Sequence, residues 1–121
     1  MTSAIDNQAA FLRDVRKLLD HADELGYVVT IGEAYRTIEQ QQIYVQTKRS
    51  KTLKSEHLNR RAIDFNIFMG GKVCSRDQIA PLGAYWESLS LLNRWGGSWR
   101  GLIDSGKSDF VDAPHFERRS I

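Results

Sequence analysis

A chain of 121 residues has room for one hydrophobic core, so residues 1–121 read as one domain. With 41% hydrophobic and 26% charged residues, wholesale disorder is excluded, and 17 Lys+Arg against 15 Asp+Glu leave a net charge of +2, too small to argue for nucleic acid from composition. The single cysteine, Cys74, excludes an internal disulfide and any cysteine-built zinc cluster, so the fold must stand on its core, with room for a metal held by other ligands.

The first residues show neither the basic n-region nor the apolar h-region of a signal peptide. No apolar run approaches the roughly 20 residues needed to cross a bilayer, and the stretch Ile63 to Met69 is interrupted by Asp64 and Asn66. The expectation is a protein made in the cytosol that something else releases if it acts outside.

Phe11, Val15, Leu18, Leu19, Ala22 and Leu25 recur at helical spacing and predict an amphipathic helix over residues 6–25, ended by Gly26. The β-branched and aromatic run Tyr27 to Ile31 predicts a strand, and Gly32 to Arg36 a loop. Thr37 followed by Gln40 has the form of a capping box opening a second helix through about Thr47, with a polar loop over 48–56. From Ala62 to Phe68 the pattern alternates: Ile63, Phe65 and Ile67 face one way, and Ala62, Asp64, Asn66 and Phe68 the other. Gly70-Gly71 signals a hairpin returning through Lys72 to Cys74. Pro81 suits the first position of a helix running to about Arg94 and burying Leu82, Tyr85, Leu89 and Leu92. Gly96 and Gly97 break that helix, a loop fills 102–114, and a short strand closes the chain around His115 to Glu117. Mixed helices and short antiparallel strands predict an α+β domain.

There are three histidines. His21 flanks the apolar face of the first helix and reads as a helix-surface or core-edge residue. His57 ends a polar loop. Asp64 interrupts a strand otherwise built of Ile and Phe, where a carboxylate is costly unless paired, hydrogen-bonded or metal-bound; a place on the strand's solvent face is the alternative. His115 and Glu117 would share one strand face while Phe116 enters the core. Two histidines and an aspartate make a three-ligand zinc set that leaves a fourth position for water. A carboxylate nearby must then take and return the water proton; Asp112 is the first candidate, and Glu117 and Asp109 are rivals.

Ser55-Glu56-His57-Leu58-Asn59-Arg60-Arg61-Ala62-Ile63-Asp64 fits S-x-H-x-x-x-x-A-x-D, and Asp112 precedes His115 by three residues. Tyr35-Arg36-Thr37 lies upstream, and Trp95-Gly96-Gly97-Ser98-Trp99 precedes the last motif. In this order the four segments resemble the zinc D-alanyl-D-alanine carboxypeptidases and L-alanyl-D-glutamate endopeptidases, the VanY-like group that includes phage endolysins. The resemblance implies a compact α+β core shared with the hedgehog signalling domain. It implies one zinc ion held by His57, Asp64 and His115, with Asp112 as general base and acid. Arg36 would position substrate or stabilise the oxyanion, and Ser55 would be a polar group near His57. Two positions depart from the family pattern: Arg60 stands where many members carry Gly, and Asp112 where many carry Glu.

Lys48, Arg49, Lys51, Lys54, Arg60 and Arg61 form a basic cluster. It reads as a solvated loop, as a rim attracted to an anionic wall, or, without interleaved aromatics, as a poor nucleic-acid surface. Trp86 and Trp95 read as core, Trp99 as core or groove, and Cys74 as a buried apolar residue. The sequence thus predicts a monomeric zinc peptidase of the peptidoglycan stem peptide, cutting L-Ala–D-Glu as an endolysin that binds no nucleic acid. Removal of terminal D-Ala is the alternative bond, and a non-catalytic metal-binding wall module the alternative class.

Overall fold

The computed structural model describes residues 3–35, 37–47, 56–99 and 112–119. Helix α1 spans Ala4–Glu24 and opens on a full capping box, with the Ser3 hydroxyl accepting from the Asp6 N–H and the Asp6 carboxylate accepting from the Ser3 N–H. Its predicted apolar face packs inward through Phe11, Val15, Leu18 and Ala22, whereas Leu25 caps the helix in an exposed position just before Gly26. Strand β1 (Val28–Glu33) runs two residues beyond its predicted end, with a register shift between Ile31 and Glu33. Helix α2 spans Ile38–Gln46, and Thr37 caps it by accepting from the Gln40 N–H. A 3-10 turn at Glu56–Asn59 begins on the last residue of the predicted polar loop. Strands β2 (Ala62–Met69) and β3 (Lys72–Val73) form the predicted hairpin around Gly70-Gly71.

Helix α3 corrects the sequence reading at both ends. It spans Arg76–Leu89, not 81–94, because Ser75 and Gln78 form a reciprocal capping box upstream of Pro81. Pro81 therefore lies inside the helix, past its first turn, where the missing N–H removes the ladder bond that would run to the Asp77 carbonyl. Past Leu89 the chain turns, and Asn93–Trp95 forms strand β4, which the sequence did not suggest. A second 3-10 turn covers Gly96–Trp99, and strand β5 spans His115–Arg118.

The strands form an antiparallel sheet in the order β1-β2-β5-β4, with β3 paired to β2. One face, carrying Ile63, Phe65, Ile67 and Phe116, packs on α1 and α3 through Phe11, Leu18, Leu82 and Trp86. Phe116 and Trp86 are wholly buried, and truncating such an aromatic to Ala costs about 3–5 kcal/mol. Trp95 lies against α3 at Gly83, where an added Cβ would fall 2.1 Å from its ring. Asn93, also buried, donates to the Asp14 carboxylate and the Trp86 carbonyl, tying β4 to both helices. With the apolar side chains committed to one face, alternation sends Asp64, His115 and Glu117 to the other.

Candidate active site

β2 and β5 pair with Asp64 directly opposite His115, so strand register alone brings these two side chains together. His115 Nδ1 lies 2.9 Å from Asp64 Oδ1. His57 arrives from the 3-10 turn, its Nε2 3.3 Å from Asp64 Oδ2 and its ring centre 5.1 Å from that of His115. Each of the three offers one ligand atom, all within 4.8 Å of one another, and both histidines are buried. Asp64 thus lies on the strand face away from the core, as alternation implied, but beneath two imidazoles and not in open solvent.

Local backbone geometry places His57. The Arg61 N–H bonds the Glu56 carbonyl and the Arg60 N–H bonds the His57 carbonyl, the two hydrogen bonds of a Schellman ending. That ending requires a left-handed residue, and Arg60 supplies it at φ +59°. The substitution of Gly by Arg here therefore leaves an ordinary turn, with the Arg60 guanidinium stacked over the Tyr35 ring. Arg61, grouped by sequence with a solvated basic loop, is instead buried and bonded to Glu56 at 2.9 Å. The His57 ring is fixed at its other nitrogen, where Nδ1 donates to the Ala34 carbonyl oxygen at 2.6 Å, leaving Nε2 turned toward Asp64.

His115 is held on both sides. Its Nε2 lies 2.6 Å from Glu117 Oε1, and Arg94 donates through Nε to Glu117 Oε2 at 3.0 Å. Glu117, a rival proton acceptor in the sequence reading, is buried and already engaged by His115 and Arg94. Burial works to raise the Asp64 carboxyl, but hydrogen bonds and charge from His115 and His57 hold it well below the usual carboxylate range. Burial likewise works to lower the His115 pKa, but its two carboxylate neighbours raise it to about 9. Glu117 is lowered, against its own burial, by His115 and Arg94.

Asp112 is anchored through its backbone at the turn into β5. Its N–H donates to the Gly96 carbonyl, and its own carbonyl accepts from the His115 N–H at 3.0 Å. Its residue is half-buried. Arg36, Ser55 and Asp109 lie outside the described residues, as do Lys48, Arg49, Lys51 and Lys54. His21 stacks on Tyr85, with ring centres 3.9 Å apart, in keeping with a helix-surface role. Cys74 is buried, as are Trp86 and Trp95. The sequence missed the backing pair formed by Glu117 and Arg94. The shared face of His115 and Glu117 was visible in strand periodicity, but Arg94 stood in a segment read as helix.

A family model of phage L-alanyl-D-glutamate peptidases matches residues 9–118. The chain belongs to that family. A curated member, the L-alanyl-D-glutamate peptidase of Listeria phage A118, is 36% identical over 104 residues, which cover 84% of this chain and 34% of the relative. The chain thus spans about a third of that relative's length. Among solved structures, the L-Ala D-Glu endopeptidase ChiX of Serratia marcescens superposes with a TM-score of 0.68 at 23% identity, covering 95% of this chain and 85% of ChiX. A VanY D,D-pentapeptidase from a VanB-type resistance cassette, solved with Zn(II), gives a TM-score of 0.62 at 18% identity, covering 92% of this chain and 71% of VanY. These likenesses bear out the expected α+β peptidase fold. No helix among the described residues is long and apolar enough to cross a membrane.

Proposed function

We propose that this chain is a zinc-dependent peptidase that hydrolyses the L-Ala–D-Glu bond of the peptidoglycan stem peptide. The observation that carries the reading is the convergence of His57, Asp64 and His115 on one point of the sheet's outer face. Two imidazole nitrogens and a carboxylate oxygen suit zinc, and three protein ligands are the number that leaves a position for water. The donor set fits the ion on structural grounds as well: His57 spends its other nitrogen on Ala34, and His115 has Glu117 behind its ring. Family membership and the phage relative support the choice of bond.

His57, Asp64 and His115 would hold the ion. When bound, zinc supplies a lowered water pKa and a polarised carbonyl. Asp112, three residues before His115, takes the proton from the attacking water as its oxygen bonds the L-Ala carbonyl carbon. As the C–N bond breaks, Asp112 returns that proton to the departing D-Glu nitrogen. Arg36 is assigned to the carbonyl oxygen that gains negative charge, a role suited to its fixed donor fork. Ser55 is assigned to substrate contact beside His57; the assignments of Arg36 and Ser55 rest on the motifs alone. The partner is the cell-wall peptide, met after release at phage or prophage lysis, and the chain acts as a monomer without nucleic acid. In support, the described members of the basic cluster serve protein contacts, Arg61 to Glu56 and Arg60 to Tyr35.

The test is digestion of isolated peptidoglycan by the purified chain, with and without a chelator, and mass spectrometry of the fragments. Chelator-sensitive fragments with a new L-Ala carboxyl end and a free D-Glu amine are expected. Loss of terminal D-Ala alone would reassign the bond. Zinc binding with no cleavage would leave a metal-binding wall module.

A further inference from the structure

We propose that Glu117, anchored by Arg94, is a positioning residue that makes Nδ1 of His115 the metal-ligating atom. The inference rests on the zinc reading of the site above. A neutral imidazole carries a proton on one nitrogen and a lone pair on the other, and the hydrogen bond at one nitrogen decides which is which. An ionised carboxylate can only accept. Both ring nitrogens of His115 face a carboxylate, Nδ1 at 2.9 Å from Asp64 Oδ1 and Nε2 at 2.6 Å from Glu117 Oε1. With Asp64 itself in the ligand set, Glu117 is the carboxylate left to hold the ring proton, at Nε2, and the lone pair falls to Nδ1, which points toward Asp64 and His57.

The sheet explains why this carboxylate is available. Residues two apart on a strand share a face, so Glu117 on β5 can reach the far side of the His115 ring. Across β2 its partner is Ala62, too small to compete for the space; across β4 its partner is Arg94. Arg94 binds the second carboxylate oxygen, Oε2, so that Oε1 is left to His115. The Glu117 backbone is fixed too, because its carbonyl accepts from the Trp86 indole N–H at 3.0 Å. A buried carboxylate would be costly here as mere filling; paired on one side and aimed at a ligand on the other, it has the form of the outer partner of a metal-bound histidine.

The experiment uses protein with 15N-labelled histidine, loaded with 113Cd in place of zinc, and reads metal–nitrogen coupling together with the remaining ring proton. Coupling to His115 Nδ1 with a proton on Nε2 is expected, and coupling to Nε2 would overturn the proposal. In parallel, zinc affinity is measured by competition with a chromophoric chelator, and folding by the melting of the zinc-free proteins. Glu117→Ala is expected to bind zinc about 10- to 100-fold more weakly than wild type. Glu117→Gln, which keeps an acceptor oxygen and the side-chain shape, is expected to lose less, as is Arg94→Met. Folded Glu117→Ala with wild-type zinc affinity would overturn the proposal while leaving the zinc reading intact. Wild-type protein that binds neither metal would bring down the zinc reading itself and this inference with it.

Discussion

The guanidinium of Arg60 lies 4.2 Å from the centre of the Tyr35 ring while its own backbone holds φ +59°. The two observations oppose each other energetically. A left-handed conformation costs a residue with a Cβ about 1–2 kcal/mol, and an exposed cation–π contact returns about 0.5–1 kcal/mol. Arg60→Gly removes both terms, so its unfolding free energy is expected within about 1 kcal/mol of wild type in denaturant titration. Arg60→Val keeps the strain, loses the contact and adds a branched Cβ, and is expected to fall about 1–2 kcal/mol below Arg60→Gly. Equal stability of the two variants would show that the backbone at Arg60 is not under the strain its φ implies.

The turn that carries Asp112 and His115 depends on a close approach at Gly96. A Cβ there would lie 2.0 Å from the Asp112 carbonyl oxygen and 3.0 Å from the His115 Cβ. Backbone cannot swing aside as the end of a side chain can, so Gly96→Ala must shift the turn. We expect a stability loss of about 1–3 kcal/mol, the usual range for overpacking, together with weaker zinc binding and slower cleavage. A Gly96→Ala protein with unchanged melting temperature and full activity would contradict this account of the turn.

For zinc-free protein the electrostatics predict a stability optimum on the acid side of neutrality. His115 is raised from 6.5 to about 9, so its contribution is complete below about pH 6.5 and is lost as pH rises through 9. Asp64 and Glu117 are lowered from 3.8 and 4.5, so their contributions are complete above those values and are lost as pH falls through their folded-state pKa values. The melting temperature of chelator-treated protein should therefore be highest between about pH 4.5 and 6.5 and should decline toward pH 9. Zinc should move the optimum upward, because a protonated ligand nitrogen cannot bind metal. A zinc-free melting temperature that climbs steadily from pH 6.5 to 9 would refute the prediction.

Much of this site was legible in the sequence for reasons that can be named. Alternation through Ile63, Phe65 and Ile67 placed Asp64 on the far face of β2, and Phe116 between His115 and Glu117 did the same on β5. These period-2 patterns survive because one face of the sheet is a core. Three residues, Asn93–Trp95, are too few to show a period, so β4 was absorbed into the preceding helix, and Arg94 was lost as a partner of Glu117. The start of α3 was misplaced because Pro81 is a loud signal for a first turn, while the Ser75–Gln78 capping box is a quiet one. The 3-10 turn under His57 was not foreseen beyond Glu56, the end of the predicted loop, because four residues are too few to show a period and the left-handed closing residue is Arg60 instead of glycine. Arg61 shows the limit of reading charge runs: in sequence it ends a basic cluster beside Arg60, but its partner in space is Glu56.

The central claim is a three-ligand zinc centre with Asp112 as its proton carrier. The most direct measurement sets zinc content beside the cleavage rate of an L-Ala–D-Glu peptide for wild type and Asp112→Asn. Both proteins should bind one zinc per chain, and chelation should stop the wild type, with zinc restoring it. Asp112→Asn, with its zinc in place, should cleave about 100- to 10,000-fold more slowly. Cleavage by Asp112→Asn at the wild-type rate, or by wild-type protein stripped of metal, would contradict the account.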